Sequence, residues 1–234
     1  MKFQKIIFLI GILFLSSCSE LQQVVNQLPQ DVISNTDIAA GLRQALDYGI
    51  AKQVKKLTLK DGYFKNDLVK ISLPEELKKV DKTLRDIGLG DLADQGLKTL
   101  NRAAESAVKE ATPIFIDAVK GITFNDAKNI LLGADNAATQ YLQSGTTSAL
   151  YTKFNPVIKN SFTKVGADKI WSTIIQKYNT IPFVKKVNPD LTDYVTQKAL
   201  EGVYTMIAVE EKQIRTKISS RNTDLLKKVF ALQD

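Results

Sequence analysis

The apolar residues of this chain recur every three or four positions over most of its length, and that period limits what it can fold into. Ile38, Leu42, Leu46, Ile50, Val54 and Leu57 fall on one face of a helix. Leu191, Val195, Ala199, Val203, Ile207, Ile214 and Ile218 repeat the pattern near the C-terminus. The exception is Tyr63 to Leu73, where Val69, Ile71 and Leu73 alternate with Lys70 and Ser72 at the period of a strand. The expected fold is all-α, with at most one short extended segment or hairpin near 63–73.

Helix-start and helix-stop residues divide the rest. Pro74 opens a helix where its missing N–H costs nothing, with Glu75 and Glu76 at the positive end of the dipole. That helix is expected to run to Ile87, before Gly88 and Gly90. An alanine-rich helix follows from Asp91 to Lys120, bent at Pro113. Further helices are expected over Thr123–Leu132, Asn136–Gly145, a new start at Asn155-Pro156, Asp168–Tyr178 around the single Trp171, and Thr223–Leu232. About nine helices result, arranged as one irregular domain over 37–234. Two subdomains divided near 121 or 145 are the alternative.

The N-terminus carries a cellular address. Lys2 and Lys5 precede the apolar run Ile6 to Leu15, which is shorter than the ~20 residues that cross a bilayer and reads as a signal-peptide core. Leu15-Ser16-Ser17-Cys18 follows, and resembles a bacterial lipobox. Residues 1–17 are therefore expected to be a cleaved lipoprotein signal. Cys18 is the expected attachment point for diacylglycerol and palmitate, and 18–36 a tether. As a coil of about 17 residues the tether spans roughly 20–25 Å. Ser19 in place of aspartate favours the outer membrane, facing the periplasm. Cleavage leaves 30 basic against 25 acidic side chains, a net charge of +5. No basic residue lies between Cys18 and Arg43, and nucleic acid is not an expected partner of an exported chain.

Composition removes several chemistries. The chain has no histidine and one cysteine, which excludes imidazole or thiolate metal clusters, a Ser-His-Asp triad and an internal disulfide. Asp61 to Asn66, Asp-Gly-Tyr-Phe-Lys-Asn, lacks the spacing of a calcium loop and reads as a turn with aromatics packed beneath it. No glycine-rich phosphate loop occurs. No catalytic residue, metal site or cofactor is expected.

Two polar groups stand out. Asn101, Arg102 and Glu105 sit among Ala103, Ala104 and Ala107, where small side chains admit a neighbouring helix. Glu211 falls in a gap of the apolar stripe between Ile207 and Ile214, and Arg215 lies one turn on. Glu211 and Arg215 are expected to form a buried ion pair or to line a polar pocket, joined by Arg102 or Asn101.

Several strings carry a resemblance: DGYFKN (Asp61 to Asn66), VKISLP (Val69 to Pro74), NRAAE (Asn101 to Glu105), ILLGADNAATQYL (Ile130 to Leu142) and IRTKISSRNTDLLKKVF (Ile214 to Phe230). In this order over residues 38–232 they resemble a bacterial lipoprotein family, domain of unknown function 4197. Ser72 and Asn222 depart from its pattern. The resemblance implies an exported, mostly helical protein, and brings no activity, cofactor or catalytic residue. The resulting expectation is a lipid-anchored envelope protein with a non-catalytic helical binding or interaction domain. The alternatives are a carboxylate-dependent envelope enzyme, or a carrier of an apolar ligand in a helical cavity.

Overall fold

The computed structural model describes residues 33–233 except 87, 89, 166, 181, 184, 185, 188 and 189. The signal peptide, Cys18 and most of the tether therefore lie outside the described residues. The elements in order are α1 (Asn35–Thr58), α2 (Glu75–Asp86), α3 (Gly90–Ala107), α4 (Ala111–Lys120) and α5 (Phe124–Leu131). Then come α6 (Ala137–Val165), α7 (Ala167–Asn179), α8 (Thr192–Thr216) and α9 (Asp224–Phe230). No strand occurs among the described residues. The fold is all-α, and residues 35–234 form one compact unit whose core runs from Ala39 to Phe230.

α8 is central. It packs on α6, α1 and α3, and α6 in turn packs on α3. Val195, Ala199, Val203, Ile207 and Ile214 are buried along it. Ile218 is not part of this stripe: the helix stops at Thr216, and Ile218 is 65% exposed in the following 3₁₀ turn.

Two prolines act differently from the sequence expectation. The alanine-rich helix does not bend at Pro113; it breaks before it, in a 3₁₀ turn over Val108–Glu110. Pro113 then occupies the first turn of α4, where its ring and missing N–H conflict with nothing. Asn155-Pro156 does not start a helix. It lies inside the 29-residue α6, which also absorbs Gly145. Leu142, Thr146, Leu150, Phe154, Ile158 and Phe162 are all buried at intervals of four, so packing of a continuous face outweighs the lost hydrogen bond.

The departure at 63–73 is a turn followed by an extended segment. Asp61 has a positive φ of 70°, and a Cβ on Gly62 would lie 2.5 Å from the Leu57 and Lys56 carbonyl oxygens, so glycine is required there. The turn drives the Tyr63 ring into the core, fully buried, with its hydroxyl donating to the Ala199 carbonyl at 2.7 Å. Burial pushes the phenol pKa up. Gly202 makes room for that ring, because a Cβ would sit 2.6 Å from Tyr63 Cε1. Gly202→Ala is accordingly expected to cost about 1–3 kcal/mol by overpacking, read as a lower urea midpoint.

Candidate functional site

Val69 and Ile71 are buried while Lys70 and Ser72 face outward, as the alternation requires, but their partner is a side chain rather than a strand. Asn101, fully buried on α3, accepts from Ile71 N–H at 2.8 Å and donates to the Ile71 carbonyl at 2.9 Å. Its amide also donates to the Leu97 carbonyl at 2.9 Å. One asparagine thus supplies the donor and acceptor that a neighbouring strand would offer.

One turn further along α3, Arg102 and Glu105 pin the preceding turn. Glu105 accepts from Tyr63 N–H at 3.1 Å and from Arg102 Nη1 at 2.5 Å. Arg102 Nη2 donates to Asp61, which also pairs with Lys65 at 3.1 Å. Lys65 first, and Arg102 with it, hold the Asp61 carboxyl below its usual range. The two acids do not face each other across a cleft; the guanidinium lies between them.

Glu211 and Arg215 form a separate group, to which Asn101 and Arg102 do not belong. Both are buried, at 8% and 7% exposure, and Arg215 Nε and Nη2 donate to the same Glu211 oxygen, Oε1, at 3.1 and 2.9 Å. The carboxylate also accepts from the backbone N–H groups of Ala138 (2.9 Å) and Thr139 (2.8 Å) and from the Thr139 hydroxyl (2.7 Å). It therefore caps the N-terminus of α6, where negative charge is favoured. Arg215 donates to the carbonyls of Leu131 (3.0 Å) and Ile130 (2.8 Å), the negative end of α5. The pair clips the α5–α6 turn onto α8.

Three buried polar groups have no counterpart in the sequence reading or only a faint one. Glu210, 2% exposed, turns the other way from Glu211, to Lys52 Nζ at 2.6 Å and Gln53 Nε2 at 2.7 Å on α1. Arg221, 2% exposed, donates to the Ile214 and Arg215 carbonyls at 3.0 and 2.9 Å and so covers the end of α8. Tyr204 links α8 to α6 through Thr146, oxygen to oxygen at 2.8 Å. Only the break in the apolar stripe at 210–211 hinted at the first. Tyr204 continues the four-residue spacing of buried Thr196 and Leu200, and Arg221, past the end of α8, follows no period.

The exposed side of α8 borders an open groove of about 610 Å³. The extended segment forms one wall, with Val69, Lys70 and Ser72, and α8 the other, with Tyr194, Lys198 and Thr205. Tyr194 ties the walls together, its hydroxyl donating to the Ser72 carbonyl at 2.8 Å. The Asn101 clamp behind the segment thus positions one wall, and Tyr63 against Gly202 fixes the turn that feeds it. No group of three or more acidic residues that could hold a metal occurs among the described residues.

No curated protein and no solved structure matches this chain. A family model does match, over residues 32–231, which takes in both buried groups and the groove. On that match the chain belongs to the family described as protein of unknown function DUF4197.

Proposed function

We propose that this is a lipid-anchored protein of the bacterial cell envelope whose helical domain binds a partner and performs no catalysis. The observation that carries the binding reading is how the buried acids are used. Glu105, Glu210 and Glu211 are each held by an arginine, lysine, glutamine or backbone donor from another part of the fold. A two-carboxylate hydrolase needs acids about 5–10 Å apart facing an open substrate site. Here Glu210 and Glu211 are committed to joining helices, and Glu105 to holding the turn at Tyr63 against α3. The groove beside α8 instead offers extended backbone, Tyr194 and two carboxylates already paired with lysines, Glu75 with Lys78 and Glu201 with Lys198. The apolar pocket beside Leu46, Ile50 and Phe230 is about 20 Å³, room for a water and not for a lipid chain, and the larger hollows of about 540–610 Å³ are open grooves at the surface.

The anchor reading rests on the apolar run and Leu15-Ser16-Ser17-Cys18. A labelled fatty acid is expected to mark the wild-type chain and not Cys18→Ser, which should also leave the membrane fraction. Equal labelling of the two would remove the anchor from the reading. For the groove, a photo-crosslinking residue at Lys198 is expected to give a discrete adduct in the envelope that the same group at exposed Lys109 does not. Identical patterns from both positions would count against the groove.

A further inference from the structure

We propose that the end of the domain where the chain enters at Asn35 is a membrane-docking face, seated on the anionic lipid surface that carries the anchor. This rests on the anchor reading above for its setting, though the face itself is built from the folded domain. Four helix ends meet there. Arg215 joins the end of α8 to the Ile130 and Leu131 carbonyls at the end of α5. Gln233, just past α9, donates to the same Leu131 carbonyl. Lys228 of α9 lies 3.9 Å from Asp37 in the first turn of α1.

Three of these ends, those of α5, α8 and α9, put a large apolar side chain into solvent within three residues of the joining bonds. Leu132 is 63% exposed, Ile218 65% and Leu232 47%. Basic residues accompany them: Lys128 one turn before Leu132, Lys217 beside Ile218, and Lys212 one turn before the end of α8, all exposed. None of these three lysines has an ion pair among the described residues. Among the described residues the acids of this end are Asp37, facing Lys228, Asp224, paired with Lys227, and exposed Asp135. Helix C-termini would ordinarily present negative carbonyls, but Arg215, Arg221 and Gln233 cover those of α5 and α8. The result is apolar side chains among unpaired lysines, the chemistry that suits an interface with anionic headgroups.

The entry point of the chain selects this occupant over others. The coil of about 17 residues expected after Cys18 has a root-mean-square span of roughly 20–25 Å, short against the domain's longest helices. At that range the effective concentration is high enough for a few side chains to suffice. The N-terminus of α8 lies at the other end of a 25-residue helix, about 37 Å away.

The test uses residues 35–234, which contain the whole core and no cysteine. An N-terminal hexahistidine tag holds this domain on vesicles containing phosphatidylglycerol and a nickel-chelating lipid, so the result does not depend on acylation. An environment-sensitive fluorophore on Ile218→Cys is expected to brighten and shift to the blue, and to do so less in high salt. The same probe on Gln197→Cys, far along α8, is expected to stay unchanged. Adding Leu132→Asp and Leu232→Asp should abolish the shift while the melting temperature holds, since both side chains are exposed. Without the tag, each charge substitution should lower vesicle partition about tenfold, the worth of one buried aliphatic side chain. A silent probe at 218, or an equal response at 197, overturns the proposal. A positive vesicle result without a fatty-acid label on Cys18 supports the face and overturns the anchor; the reverse pair overturns the face alone.

Discussion

Arg215→Met is expected to lower the free energy of unfolding by about 3–5 kcal/mol, because it strands a buried carboxylate. The side chain answers three acceptors at once: Glu211 Oε1 and the Ile130 and Leu131 carbonyls. Glu211 keeps the N–H groups of Ala138 and Thr139 and the Thr139 hydroxyl, so its charge is not left bare. That residual support points to the lower half of the range. Glu211→Gln should cost less, since its amide oxygen can still accept at the α6 N-terminus and Arg215 still rests on the α5 carbonyls. The double variant should be more stable than the sum of the singles implies, by the coupling typical of contacting groups, about 0.5–3 kcal/mol. Urea unfolding with an unchanged m-value is the measurement. A loss below about 1 kcal/mol for Arg215→Met would mean that the α5–α6 turn is held by packing alone.

The helices were legible because most bury a single face, and a buried face writes its period into the chain. Where the reading departed, tertiary packing overrode a local signal. Asn155-Pro156 is a strong helix start in isolation, yet Phe154 and Ile158 on either side are fully buried on one continuous face. Pro113 did break the alanine-rich helix, but the break was taken up in the preceding turn at Val108–Glu110 instead of at the proline. Ile218 continued a numerical pattern past the residue where the helix had stopped. The candidate site divides along the same line. Glu211 and Arg215 interrupt a stripe and are four apart, so their pairing is local information. What they grip, some 70 to 85 residues away, is not written anywhere near them. Arg102 and Asn101 were drawn into the wrong group for that reason: their partners are Asp61 and Ile71 on the turn and segment beneath α3.

Asn101→Leu is the second substitution with a large expected effect, and it tests whether one side chain can stand in for a strand. Leucine keeps the branched outline of asparagine, with two methyl groups in place of the amide oxygen and nitrogen, and suits a fully buried position in α3, so no packing contact is deleted. What disappears is the donor and acceptor that meet Ile71, a residue only 2% exposed. Each backbone group left unpaired in that setting costs about 1–3 kcal/mol, so a total of about 2–6 kcal/mol is expected. The loss should be local as well as global: the Ile71 amide should exchange with deuterium far faster relative to amides of α8 than it does in the wild type. Asn101→Asp separates hydrogen bonding from shape. Its carboxylate can still accept from Ile71 N–H, but it sets negative charge against the Ile71 and Leu97 carbonyls, which in the wild type accept hydrogen bonds from the Asn101 amide. Those carbonyls and the burial both favour the protonated acid, which can donate to one of them. The folded-state pKa of the introduced acid is therefore raised, and the destabilisation it causes should lessen as the pH falls through that value. If Asn101→Asp is instead least damaging at neutral pH, the amide donor contributes little, and the extended wall of the groove is held by Val69, Ile71 and Leu73 against the core.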